Sequence, residues 1–213
     1  NGTYKTVSFD ESVLGWTSFF DYKPDFITSL KNNFYSLKIT TNNGQGIWLQ
    51  NAPVEINGVD TGAAYGKFYE IAYDSNVTVI LNKEPSLVKN FKTINYEGAD
   101  GWQMSEMFTD YYSVTNTSGG DTASSVGKFT LQTTLSSLEA DMFVNNFKRK
   151  ENKFFANLIN TSSSEGGEIL WGASSSGIKG FWSTVKLKLV NSDYPTTKKE
   201  LFAVSSDIVE SSY

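Results

Sequence analysis

The chain has no cysteine, no histidine, four prolines, three methionines and a single arginine, Arg149, among its 18 basic residues. Without cysteine it forms no disulfide and offers no thiolate to a metal. Without histidine it lacks the commonest general base and the commonest transition-metal ligand, so histidine triads and zinc chemistry are excluded. With one guanidinium, bidentate clamps on phosphate or carboxylate cannot be widespread. A formal charge of −5 argues against a nucleic-acid surface, which needs clustered cations. No apolar run is long enough to span a bilayer as a helix.

What is present is aromatic and β-forming. Hydrophobic residues make up 39% and aromatic residues 15% of 213 positions, so large rings supply much of the burial in one domain or two small ones. The segment from Ser8 to Lys38 sets the pattern: Phe9, Val13, Trp16, Phe19, Phe20, Phe26, Phe34 and Tyr35 suit a pleated surface, and Asp10-Glu11, Lys23-Pro24-Asp25 and Asn32-Asn33 interrupt them as turns. Asn32-Asn33 is read as a hairpin loop and Asn57-Gly58 as a turn within the long loop 50–66. Lys83 to Ser86 reads as the start of one helical turn, with Pro85 at its first position. Residues 131–147 fit helix or strand equally. In FWSTVKLKLV the alternation puts Phe181, Ser183, Val185, Leu187 and Leu189 on the buried face. The expected fold is all-β, antiparallel strands in a sandwich or propeller-like arrangement with at most short helices. A division is expected at the Glu97 to Gly101 turn, giving residues 1–98 and 99–213.

Several blocks occur in a distinctive order: GWTSFFDYKPDF, SLKNNFYSLK, GKFYE at Gly66 to Glu70, VILNKEPSLVKNFKTINYEG at Val79 to Gly98, and a last third from KENKFFANLIN to ELFAVSSDIVESSY. This series resembles the virion structural proteins of tailed bacteriophages, in particular the tail muzzle or nozzle proteins of crAss-like and other short-tailed phages, toward their carboxyl ends. Trp48 stands where those proteins usually have tyrosine, and Gln50 to Ala64 is longer than the usual connection. The chain begins NGTYKTVSF, which with the resemblance leads to the expectation that it is the carboxyl-terminal portion of a longer protein. The resemblance implies a non-enzymatic structural component of the phage tail in the virion, with no cofactor. It would assemble into a ring of its own copies with other virion tail proteins, contributing to the DNA-ejection channel or to host attachment.

Trp16, Phe19, Phe20, Trp171 and Trp182 are expected to be interface or fold anchors, most of them buried. Two other functions were weighed. A carbohydrate-binding module recognising a host-surface glycan needs exposed aromatic rings on the loops. A tail-associated glycan hydrolase needs two carboxylates at catalytic separation, with Asp21, Asp25, Glu97, Asp100 and Glu106 as the candidates. Asp60-Thr61-Gly62 matches the core of aspartic proteases, but those need two copies and a local turn explains one. Lys148-Arg149-Lys150 offers cations for a passing contact with phage DNA, yet Glu151 follows and a solvated charged face explains the run better. No catalytic, cofactor-binding or metal-binding residue is assigned.

Overall fold

The computed structural model describes residues 5–40, 44–53, 55–60, 64–110, 113–115, 129–131, 143–144, 147–160, 175–191 and 196–211. Nearly all the regular structure of the described residues is β, and every strand pairing among them is antiparallel. Two compact units are formed: Asn1–Asp74 with Asn191–Lys198, and Ser75–Val190 with Lys199–Tyr213. The turn at 97–101, where the sequence suggests a division, lies inside the second unit.

The first unit is a set of small sheets. Strands β1 (Thr6–Asp10) and β2 (Gly15–Phe20) form a hairpin, and β3 (Phe26–Leu30), β4 (Asn33–Thr40) and β5 (Gly44–Leu49) form a meander. Two short hairpins follow, β6 (Glu55–Ile56) with β7 (Val59–Asp60) and β8 (Lys67–Phe68) with β9 (Ile71–Ala72). Asn57 and Gly58, read as a turn, form the β6–β7 loop, and both have positive φ, as a type I′ turn demands. The β3–β4 loop is Lys31-Asn32, at φ 50° and 62°, one residue earlier than expected, and Asn33 pairs with Leu30 instead. The shift matters because one residue of register exchanges the two faces of a strand.

An aromatic cluster is the core of this unit. Tyr22 stacks on Phe68 at 4.2 Å between ring centroids, and Phe20, Tyr69 and Tyr73 pack around that pair. Tyr69 meets Trp48 edge to face at 5.7 Å, and its hydroxyl donates to Ser36 Oγ at 2.8 Å. Burial pushes the Tyr22 and Tyr69 phenols above their ordinary value, against which the Ser36 hydrogen bond of Tyr69 acts weakly. Below pH 10 both phenols are neutral in the folded and unfolded chain alike. As pH rises past 10, the unfolded chain gives up these protons first, so stability falls from there upward. Near-ultraviolet circular dichroism is therefore expected to lose the aromatic signal in strong alkali earlier for the wild type than for a Tyr22→Phe variant.

The second unit is larger and sandwich-like. One sheet has the order β10 (Ser75–Leu81), β21 (Ser183–Leu189), β13 (Gln103–Thr109), β14 (Ser113–Thr115). Another runs β16 (Phe143–Val144), β17 (Phe147–Lys150), β18 (Lys153–Asn160), β12 (Thr93–Gly98), β22 (Leu201–Ser205), with β15 (Phe129–Leu131) and β19 (Ser175–Ser176) also paired to β18. A third has the order β20 (Ile178–Gly180), β11 (Lys89–Phe91), β23 (Ile208–Glu210). Val185, Leu187 and Leu189 of β21 are buried as their alternation foretold, and so are Met104, Met107, Ile94, Tyr96, Phe147, Phe154 and Leu158.

Lys83 to Ser86 does not start a helix. The Leu87 N–H donates to the Glu84 carbonyl at 3.1 Å, closing one tight turn in which Pro85 takes the second position. The chain then enters β11, whose pairing with both β20 and β23 prevents continuation as a helix. Residues 132–142, the middle of the ambiguous segment, lie outside the described residues, as do 116–128.

Candidate functional site

The meander β3–β4–β5 turns its apolar face outward. Its register sets Phe26 beside Leu37 beside Ile47, and Thr28 beside Tyr35 beside Leu49, with Leu30 and Ile39 on the same face by alternation. Phe26, Leu30, Ile39, Ile47 and Leu49 are all exposed. The opposite face carries Ser36, fully buried, which accepts hydrogen bonds from Gln50 Nε2 at 2.7 Å and from the Tyr69 hydroxyl. This inverts the usual arrangement of a half-buried sheet, which covers its apolar side.

The β1–β2 hairpin repeats the feature. Val7 opposes Phe19 and Phe9 opposes Trp16, with a bulge between the two pairs, and all four side chains are exposed. Trp16 is 66% and Phe19 75% accessible, so the expectation that they are buried fails for this chain taken alone. The reason lies in the face they occupy: Phe20, on the other side of β2, is half-buried and joins the aromatic core. Trp182 is half-buried, edge-on to Phe108 at 5.8 Å. Trp171 lies outside the described residues. Twelve of the nineteen exposed large apolar side chains among the described residues fall between Val7 and Leu49.

A further open element is β10. Its seven residues, SNVTVIL, pair in unbroken register with β21 on one side, and it ends the sheet on the other. The strand itself carries no charge, proline or bulge, the usual guards of a sheet edge, and among the described residues no strand pairs with its other side.

A pocket of about 410 Å³ lies between residues 48–53 and 64–70. Trp48, Tyr65, Phe68 and Tyr69 bring rings to it, Gln50 and Asn51 bring amides, and Lys67 and Glu70 bring an ion pair 2.6 Å long at its rim. Gly46 lets the Trp48 indole lie close to the strand, since a Cβ there would come within 2.9 Å of Nε1. The turn that presents Tyr69 and Glu70 holds both at positive φ, 52° and 67°. Of the four such two-residue turns, those at Lys31-Asn32, Asn57-Gly58 and Glu151-Asn152 contain asparagine or glycine, and this one contains neither. Left-handed backbone costs an ordinary residue roughly 1–2 kcal/mol, here offset by the Tyr69 hydroxyl bond and ring contacts.

The carboxylates considered for hydrolysis are each tied to a separate lysine. Asp21 pairs with Lys5 at 2.7 Å, Asp25 with Lys38 at 3.7 Å, Glu97 with Lys153 at 3.6 Å and Glu106 with Lys186 at 3.8 Å, and Asp100 pairs closely with Lys199. Asp25 also accepts from the Ile39 N–H at 2.7 Å, which fastens the corner after β2 to the meander. Each of the five carboxylates thus has a lysine partner of its own. Thr61 and Gly62 lie outside the described residues, and Asp60 ends the two-residue strand β7. Along β17, alternation sends Lys148 and Lys150 to one face and Arg149 to the other, where it lies over the Phe154 ring at 5.7 Å. The three cations therefore do not form one patch. Among the described residues no cluster of acidic side chains could hold a metal ion, and no helix is long and apolar enough to cross a membrane.

Among the described residues the chain is a β protein of small antiparallel sheets, with exposed apolar faces on the β1–β2 hairpin and the β3–β5 meander. Residues 63–161, just under half of the chain, match the family model of the Crassvirus muzzle protein C-terminal domain, and this similarity supports a place in the virion tail. The GKFYE and VILNKEPSLVKNFKTINYEG blocks fall within the matched residues, and GWTSFF and SLKNNFYSLK precede them. No curated protein matches the chain.

Proposed function

We propose that this tail protein works as one subunit of a ring of identical copies, in which the open faces of β1–β2 and β3–β5 are covered by neighbouring subunits. The carrying observation is the outward apolar face of the meander. Nine large apolar side chains, four on the hairpin and five on the meander, are exposed in the single chain. Completing their burial would contribute on the order of 10 kcal/mol at the usual value per apolar area. Association itself costs roughly 4–15 kcal/mol, so assembly needs the hairpin and meander faces covered together. The unguarded β10 edge adds a second means of joining copies, by strand addition. Head-to-tail contacts between copies generate a ring when the rotation from one copy to the next closes.

Within the tail, such a ring contributes to the channel through which DNA is ejected, or to attachment at the host surface. A chain of net charge −5 with one arginine suits a wall that DNA passes without adhering. Light scattering and electron microscopy test the reading. The wild-type protein is expected as a multimer of uniform size, and the double variant Trp16→Glu with Phe19→Glu as a folded monomer with the wild-type far-ultraviolet circular dichroism and a lower melting temperature, since it loses the stabilisation of assembly. A wild type that stays monomeric at every concentration, or a double variant of wild-type size, refutes the ring.

A further inference from the structure

We infer that the pocket between residues 48–53 and 64–70 binds a neutral saccharide. Four observations converge on it. Its volume, about 410 Å³, lies in the range of small-molecule sites, and aromatic and amide-bearing residues line it together. Among the described residues its only charged lining side chains, Lys67 and Glu70, neutralise each other, so they select neither an anion nor a cation. What suits it is a ligand with an apolar face to lie on a ring and hydroxyls to bond the amides and the ion pair. A pyranose has both.

The walls are also held in place before any ligand arrives. The Gln50 N–H donates to the Phe34 carbonyl at 2.8 Å and its side chain donates to Ser36, while the Tyr73 N–H donates to the Gly66 carbonyl at 2.9 Å. Asn191 donates through Nδ2 to the Tyr65 carbonyl and through its N–H to Asp74. A site fixed in this way loses little freedom on binding. Finally, a turn of Tyr69 and Glu70 at positive φ, where Asn-Gly would be relaxed, sits at the pocket itself. Backbone strain held by surrounding contacts is a mark of ligand clamps. Tyr65, 43% accessible, is the ring free to stack on a sugar.

The test uses the full chain and a panel of neutral mono- and disaccharides, including glucose, galactose, mannose and N-acetylglucosamine, followed by tryptophan fluorescence and saturation-transfer NMR. At least one sugar is expected to bind with a dissociation constant of about 1 mM. Tyr65→Ala and Glu70→Gln are each expected to weaken it about tenfold or more at unchanged melting temperature. Absence of binding across the panel, binding indifferent to both substitutions, or capture of a proline-rich peptide in place of every sugar overturns the inference. The Trp16→Glu, Phe19→Glu variant keeps its sugar affinity if the pocket reading is right, whether or not the ring exists, so the two readings fail separately.

Discussion

Replacing Tyr96 by alanine is expected to destabilise the second unit by about 3–5 kcal/mol, the range for removal of a buried large ring. Tyr96 is fully buried on β12, the strand that pairs with β18 on one side and β22 on the other. Its ring stacks on Phe154, its direct cross-strand partner, at 4.6 Å and 6° between planes, and meets Phe147 edge to face at 5.0 Å. Alanine removes both contacts and leaves a void that two neighbouring rings of fixed rotamer cannot fill. Thermal denaturation is expected to shift down by roughly 10 °C or more. Tyr96→Phe keeps the ring and is expected to cost less than about 1.5 kcal/mol. A shift for alanine no larger than that for phenylalanine would mean that the core is centred elsewhere.

The second large effect concerns a charge. Lys89 is only 2% accessible, and its ammonium donates to the carbonyls of Glu84 and Leu87 at 2.9 and 3.0 Å. No carboxylate among the described residues pairs with it. It therefore ties the Glu84 to Leu87 turn to β11, supplying a donor where the turn leaves carbonyls facing inward. Lys89→Met preserves the stem and removes the ammonium. Replacing a whole buried ion pair by apolar residues is often neutral, because the desolvation of both partners is relieved. Here the two acceptor carbonyls stay behind, each costing about 1–3 kcal/mol when unpaired, so a loss of about 2–5 kcal/mol is expected. Lys89→Ala adds a cavity and is expected to cost more. Wild-type melting for Lys89→Met would show that water reaches the turn, and the role given to Lys89 would be wrong.

Much of the local structure could be read from residue order. Strand propensity, the Asn57-Gly58 turn and the alternation of β21 all act over a few residues, and each is found in place. The helical turn at Lys83 was misread because Pro85 suits a helix start and a tight turn equally, and only the pairing of β11 with β20 and β23 decides between them. Lys89 could not have been found: nothing in its neighbours along the chain shows that two carbonyls will surround it. The pocket was equally hidden, since Trp48 and Tyr65 are apart in sequence, and Tyr69-Glu70 has no turn signature to announce its positive φ.

The sequence alone determined the chemistry that is excluded, the antiparallel β class and the likeness to tail proteins, since these follow from residue types, period-two patterning and block order. The structure decided which faces are covered. Alternation divides a strand such as Phe26–Leu30 into two sides but is silent about what packs on either. Coverage is a property of long-range contacts, within one chain or between several. That is why Trp16 and Phe19, correctly singled out as large and β-favouring, stand at the surface while Phe20 between strand and core does not.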